Sequence, residues 1–167
     1  MPVTSAWTDP NSLDLLTNQV LTQTVWEQLL GDVLWLNGTA GTWTAFTPTL
    51  TQNVGIAITV NNARYIKIGH TVIVYILVTT SATGTAGNDI IIGGIPAAIA
   101  PLSSGAATCV GSFQYRGATF RAGSVIGAST TTFKLQVDNN VGFLGTLPSL
   151  ALASGDTISL TTAYESS

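Results

Sequence analysis

The sequence predicts a mainly β protein: a short helical segment at the N-terminus, residues 1–41, followed by an antiparallel β-sandwich of jelly-roll type over 42–167. Three observations carry this. Apolar residues keep a long helical period only between Trp26 and Leu36. From Trp43 onward the period is two, and turn signals return roughly every ten residues, the spacing of a sandwich or barrel. With 167 residues, the chain has room for one domain with its own core and a short appendage.

In the first segment Asp9-Pro10-Asn11-Ser12 reads as a turn, and Thr24-Val25-Trp26-Glu27 fits a capping box. Trp26, Leu29, Val33 and Leu36 then follow at spacings of three, four and three, a seam that Leu30 and Leu34 widen. Asn37-Gly38 ends the helix. A helix of about 13 residues is marginal alone in water, so its apolar stripe needs a partner. Trp7, Trp26, Leu29, Val33, Trp35 and Leu36 are therefore the expected attachment or oligomerisation residues.

Strands are expected near 43–50, 56–60, 63–68, 71–79, 89–93, 107–115, 118–126, 131–137 and 156–164. Val60-Asn61-Asn62-Ala63 and Ile68-Gly69-His70-Thr71 read as two-residue hairpins, since Asn and Gly tolerate positive φ. Asp138-Asn139-Asn140 and Ser154-Gly155-Asp156 mark later turns. The stretch from Thr71 to Thr79 is apolar on both faces, so it belongs in the middle of a sheet or under another subunit.

Composition narrows the function. Five Lys and Arg against eight Asp and Glu give a net charge of -3, and charged residues make up 8% of the chain. Five cations cannot supply the phosphate footprint of a nucleic-acid binder. Mean hydropathy is +0.42, yet the longest unbroken apolar run, Val72 to Val78, is far short of the roughly 18 residues a spanning helix needs. With no Lys or Arg before Arg64, no secretory signal and no membrane insertion are expected. A weakly charged, apolar chain of this kind suits a permanent assembly.

Catalysis is not expected. The chain has one histidine, His70, in a turn, and one cysteine, Cys109, in a strand, where a thiol serves as a small hydrophobe. No Gly-x-Ser-x-Gly elbow occurs. One His and one Cys exclude a closed zinc site, and Asp138 or Asn88-Asp89 lack the carboxylates calcium requires. No cofactor or metal site is expected. For recognition of a host glycan, aromatic residues on strands are the natural candidates; Tyr65, Tyr75, Phe113, Tyr115 and Phe120 qualify, and Tyr65 and Tyr115 are taken as the surface pair. Packing in the core is the competing role for each.

Four segments occur in a telling order. Val20-Leu21-Thr22 precedes the helix and Leu34-Trp35-Leu36; Trp43-x-x-Phe46-Thr47-Pro48-Thr49-Leu50 follows; then Ala63-Arg64-Tyr65-Ile66-Lys67-Ile68-Gly69-His70-Thr71-Val72; and Thr162-Ala163-Tyr164-Glu165 closes the chain. Together they resemble small structural proteins of tailed-bacteriophage virions. The chain departs from that pattern around Trp26 to Gln28, where an Asn is usual. The resemblance implies a non-enzymatic virion protein, made in the host cytoplasm, commonly a homotrimer, contacting the major capsid protein or tail proteins. Its short length and lack of a shaft repeat favour head decoration, as a cement protein. A tail fibre or tail tip that contacts host glycans is the alternative.

Overall fold

The computed structural model describes residues 42–102, 109–137 and 142–166. The chain divides into two units, Met1–Thr42 and Trp43–Ser167. The expected helix, with Trp7, Trp26, Leu29, Val33, Trp35 and Leu36, lies outside the described residues, as does the turn at Asp138-Asn139-Asn140.

From Trp43 onward the described residues form β1 (Thr44–Ala45), β2 (Thr49–Gln52), β3 (Val54–Ile56), β4 (Ile58–Ile68), β5 (Thr71–Thr80), β6 (Ile91–Gly93), β7 (Cys109–Arg116), β8 (Phe120–Ser129), β9 (Thr132–Val137) and β10 (Thr157–Glu165). All neighbours pair antiparallel. The mainly β class is as expected, but the sandwich is not. The strands form one continuous sheet, ordered β1-β4-β5-β10-β7-β8-β9-β6-β2-β3.

Connectivity makes that sheet curl. β1 and β2 stand eight places apart in the order, roughly 38 Å if the sheet were flat. Residues 46–48 alone connect them, and that stretch reaches at most about 14 Å. β3 and β4 are equally far apart in the order and are joined by Ala57 alone. The two edges must therefore approach each other, and Ser81 N–H, just past β5, donates to Ala57 O at 2.8 Å.

The curl encloses one core. Val72, Val74, Ile76 and Val78 of β5 face inward with at most 1% exposure, beside Ile158 and Leu160 of β10, Phe113 and Tyr115 of β7, and Phe133 and Leu135 of β9. Fully burying each such aliphatic or phenylalanine side chain contributes about 1.5–3 kcal/mol.

Two expected boundaries need correction. The strand foreseen over 43–50 is broken at Phe46-Thr47-Pro48, because the chain there crosses between the two sheet edges and Pro48 has no N–H to donate. The hairpin foreseen at Val60-Asn61-Asn62-Ala63 does not exist. β4 runs through it with a bulge between Val60 and Asn62, and Thr79 Oγ1 donates to Asn61 Oδ1 at 2.8 Å. Long β5 gives β4 a continuous partner, so one surplus residue is absorbed as a bulge. The reversal sits earlier, at Asn53 (φ 70°) between β2 and β3. The hairpin at Gly69-His70 forms as expected, with Ile68 opposite Thr71 and Gly69 at φ 59°.

Two buried polar side chains bind the loops to the sheet. Gln52, 0% exposed, donates through Nε2 to Leu150 O (2.5 Å) and Asn88 O (3.2 Å), and its Oε1 accepts from Leu152 N–H (3.0 Å). Asp156, 5% exposed, accepts at Oδ2 from Tyr115 O–H (2.7 Å) and Ala153 N–H (2.8 Å). Its backbone carbonyl also accepts from Thr80, so Asp156, through side chain and backbone together, draws the ends of β5, β7 and β10 together.

Burial, and then the hydrogen bond to Asp156 and its charge, hold the Tyr115 phenol above its ordinary 10.0. In the unfolded chain the phenol ionises near pH 10, whereas the folded chain keeps its proton. The unfolded state thus binds fewer protons above that pH, and stability falls as pH rises. From neutral pH, urea midpoints should be level up to about pH 10 and decline beyond it. The decline should be shallower in Tyr115→Phe; equal slopes in the two proteins would refute the assignment.

Candidate functional site

Strand register lays out the outward face row by row. Arg64 of β4 lies opposite Tyr75 of β5; Tyr75 pairs with Thr161 of β10, and Thr161 with Ser112 of β7. The next row is Leu77, Ser159 and Gln114. The row beyond is Thr79, Thr157, Arg116 and, on β8, Phe120. Residues directly opposite in antiparallel strands share a face, so these side chains all point away from the core.

Two features stand out on this face. The Arg64 guanidinium carbon lies 4.7 Å from the centroid of a Trp43 ring and 5.8 Å from that of Tyr75, a cation held between two aromatic faces. Beside the stack is a depression of about 250 Å³ lined by Leu77, Gln114, Arg116, Thr157 and Ser159. Phe120, 58% exposed, lies opposite Arg116 on the neighbouring strand.

Other polar groups are engaged in structure. Asp89 pairs with Lys134 at 2.8 Å and accepts from the Thr146 hydroxyl. Partial burial pushes its carboxyl up, but the Lys134 and Thr146 hydrogen bonds and the lysine's charge outweigh that and hold it below its ordinary value. This corner is a clasp between β6, β9 and the 142–150 loop. His70 is exposed in its turn as expected, and its Nδ1–H donates to Ser166 O at 2.9 Å while Ser166 N–H donates back to His70 O. Among the described residues no three His, Cys, Asp or Glu side chains gather as metal ligands, and no helix is long and apolar enough to cross a membrane.

Of the two expected surface aromatics, Tyr115 lies in the core and Tyr65 is half-buried. Tyr115 is 0% exposed and hydrogen-bonded to Asp156, and Phe113 is 1% exposed. Tyr65 is half-buried, packed against the core with its ring 6.1 Å from that of Phe46. Tyr75 and Phe120 do face outward. Gln114, Arg116, Thr157 and Ser159 were missed, although the stretch Ser112-Phe113-Gln114-Tyr115-Arg116 alternates polar and aromatic. That alternation sends both aromatics inward and the polar residues outward.

No family model matches the chain, and neither a curated protein nor a solved structure matches it.

Proposed function

We propose that this chain is a non-enzymatic structural protein of a bacteriophage particle, a homotrimer that decorates the head, with residues 1–41 attaching it and the β domain outward. One observation supports the reading. The β-domain segments that resemble virion proteins are separated in the sequence, yet, apart from Thr49-Leu50 on β2 and the 46–48 and 69–70 connections, they fall on β1, β4, β5 and β10, four strands consecutive in the sheet. A shared pattern that falls largely on neighbouring strands is what a common framework requires.

The test is incorporation. Val33→Asp places a charge in the apolar stripe, which is costly unless a cation meets it. The variant should fail to join particles and should no longer scatter light as a trimer, while its far-UV circular dichroism keeps the β signature. Decoration at wild-type occupancy would refute the anchor. A cryo-EM map of the particle decides between head and tail. The tail-fibre reading, with a host glycan as the contact, is favoured by the exposed aromatics Trp43 and Phe120, 41% and 58% exposed on the domain surface.

A further inference from the structure

We propose that the depression between β5, β10 and β7 binds one carboxylated sugar unit, a uronic acid, of an acidic polysaccharide. The inference rests on the glycan-contact reading and names the sugar class. Its basis is the juxtaposition of one guanidinium, one amide, two hydroxyls and two apolar surfaces within adjacent rows of the sheet. Arg116 projects outward at the end of β7, with Gln114 two residues before it on the same face. Ser159 and Thr157 of β10 lie opposite Gln114 and Arg116, and Leu77 of β5 completes the floor.

Charge selects the ligand's sign. Of the described carboxylates, Asp89 is paired with Lys134, Asp156 is turned inward onto Tyr115, and Glu165 lies opposite Thr71, at the far end of β5 from the depression. The depression is thus lined by one cation and no anion. A planar guanidinium engages a carboxylate through two parallel N–H donors.

The rest of the lining selects a sugar over a simple acid. Gln114 offers both a donor and an acceptor, and the two hydroxyls either role. Such groups match a ring's own hydroxyls. Leu77 in the lining gives its C–H face an apolar surface, and the exposed Phe120, opposite Arg116 on β8, offers a second one beside it. At about 250 Å³ the depression falls below the roughly 300–1,000 Å³ of drug-sized pockets, so a single ring is the unit it holds. A phosphate would favour more than one cation here, and an extended peptide would favour a free strand edge; β7 and β10 both have neighbours on each side.

The experiment titrates the full chain with a glucuronic-acid-containing oligosaccharide, a neutral glucose oligosaccharide of equal length and an aspartate-rich peptide, following amide chemical shifts by NMR. The acidic oligosaccharide should bind tightest and shift amides of β7 and β10. Arg116→Gln and Phe120→Ala should each weaken it about tenfold. Lys67→Gln removes the same charge opposite Val72, roughly 17 Å along β5 from Leu77, and should leave the affinity unchanged. The altered side chains at 116 and 120 are exposed, so far-UV circular dichroism should match wild type. Equal affinity for both oligosaccharides would overturn the acidic assignment while leaving glycan contact standing. No binding of either would overturn both. Tighter binding of the peptide, or an equal loss in Lys67→Gln, would show a protein contact or diffuse charge attraction instead.

Discussion

Gln52→Leu is expected to cost about 3–6 kcal/mol, because it leaves one buried and two part-buried backbone groups without partners, at about 1–3 kcal/mol for the buried one and toward the low end of that range for the others, which water can reach. The side chain serves all three. Leu150 O and Asn88 O lose their amide donor, and Leu152 N–H loses its acceptor. Leucine is apolar and of similar volume, so packing is nearly kept and the loss reports the hydrogen bonds. Asparagine would be too short to reach both loops. The surroundings leave little room to adapt: a Cβ at Gly84 would clash with Gln52 Oε1, and one at Gly145 would lie 2.9 Å from its Nε2. Against the 5–15 kcal/mol of a typical domain, such a loss takes a large share of the total. Urea denaturation of the full chain should show a midpoint lowered by several tenths of its wild-type value with an unchanged slope. A midpoint shift equivalent to less than about 1 kcal/mol would mean that water or loop movement replaces the glutamine.

Asp156→Ala should be of comparable size, about 3–5 kcal/mol, since it removes a charged acceptor of two hydrogen bonds, each worth roughly 1.5–3 kcal/mol. Tyr115, 0% exposed, cannot turn its hydroxyl to water, and Ala153 N–H loses its turn partner. Asp156→Asn keeps an acceptor oxygen for either donor and should recover at least half of the loss. The comparison separates hydrogen bonding from charge: an asparagine variant as unstable as the alanine variant would show that the negative charge itself is required. In thermal unfolding followed by circular dichroism, the expected order is wild type, Asp156→Asn, Asp156→Ala.

Both residues bear on how much of this protein was legible in its sequence. The alternation of Val72, Val74, Ile76 and Val78 was legible, and so was the Gly69-His70 turn, because each depends on neighbours within a few residues. Gln52 was not. It looks like any polar strand residue, and its partners lie 36, 98 and 100 residues away in the chain. Asp156 was legible as a turn residue but not as a buried anchor, since Tyr115 reaches it from 41 residues away. Asn61 misled in the other direction: two asparagines suggest a turn, but β5 supplied a partner long enough to carry the chain straight on.

The candidate site divides in the same way. Alternation along Ser112 to Arg116 determined that Gln114 and Arg116 share one face and that Phe113 and Tyr115 share the other. It did not determine that Leu77, Ser159 and Thr157 stand beside them, because that depends on β10 entering between β5 and β7.

The sequence by itself determined the β class, the periodicity of β5 and β7, the Gly69 reversal and the shortage of charge. The tertiary structure decided that the strands make one curled sheet, which aromatic residues are core, and which polar residues meet. The physical reason is that a period of two defines two faces of a strand without naming the inner one. That choice is made by pairing partners far away in the chain and by connections as short as Ala57, which force the sheet to close around one face.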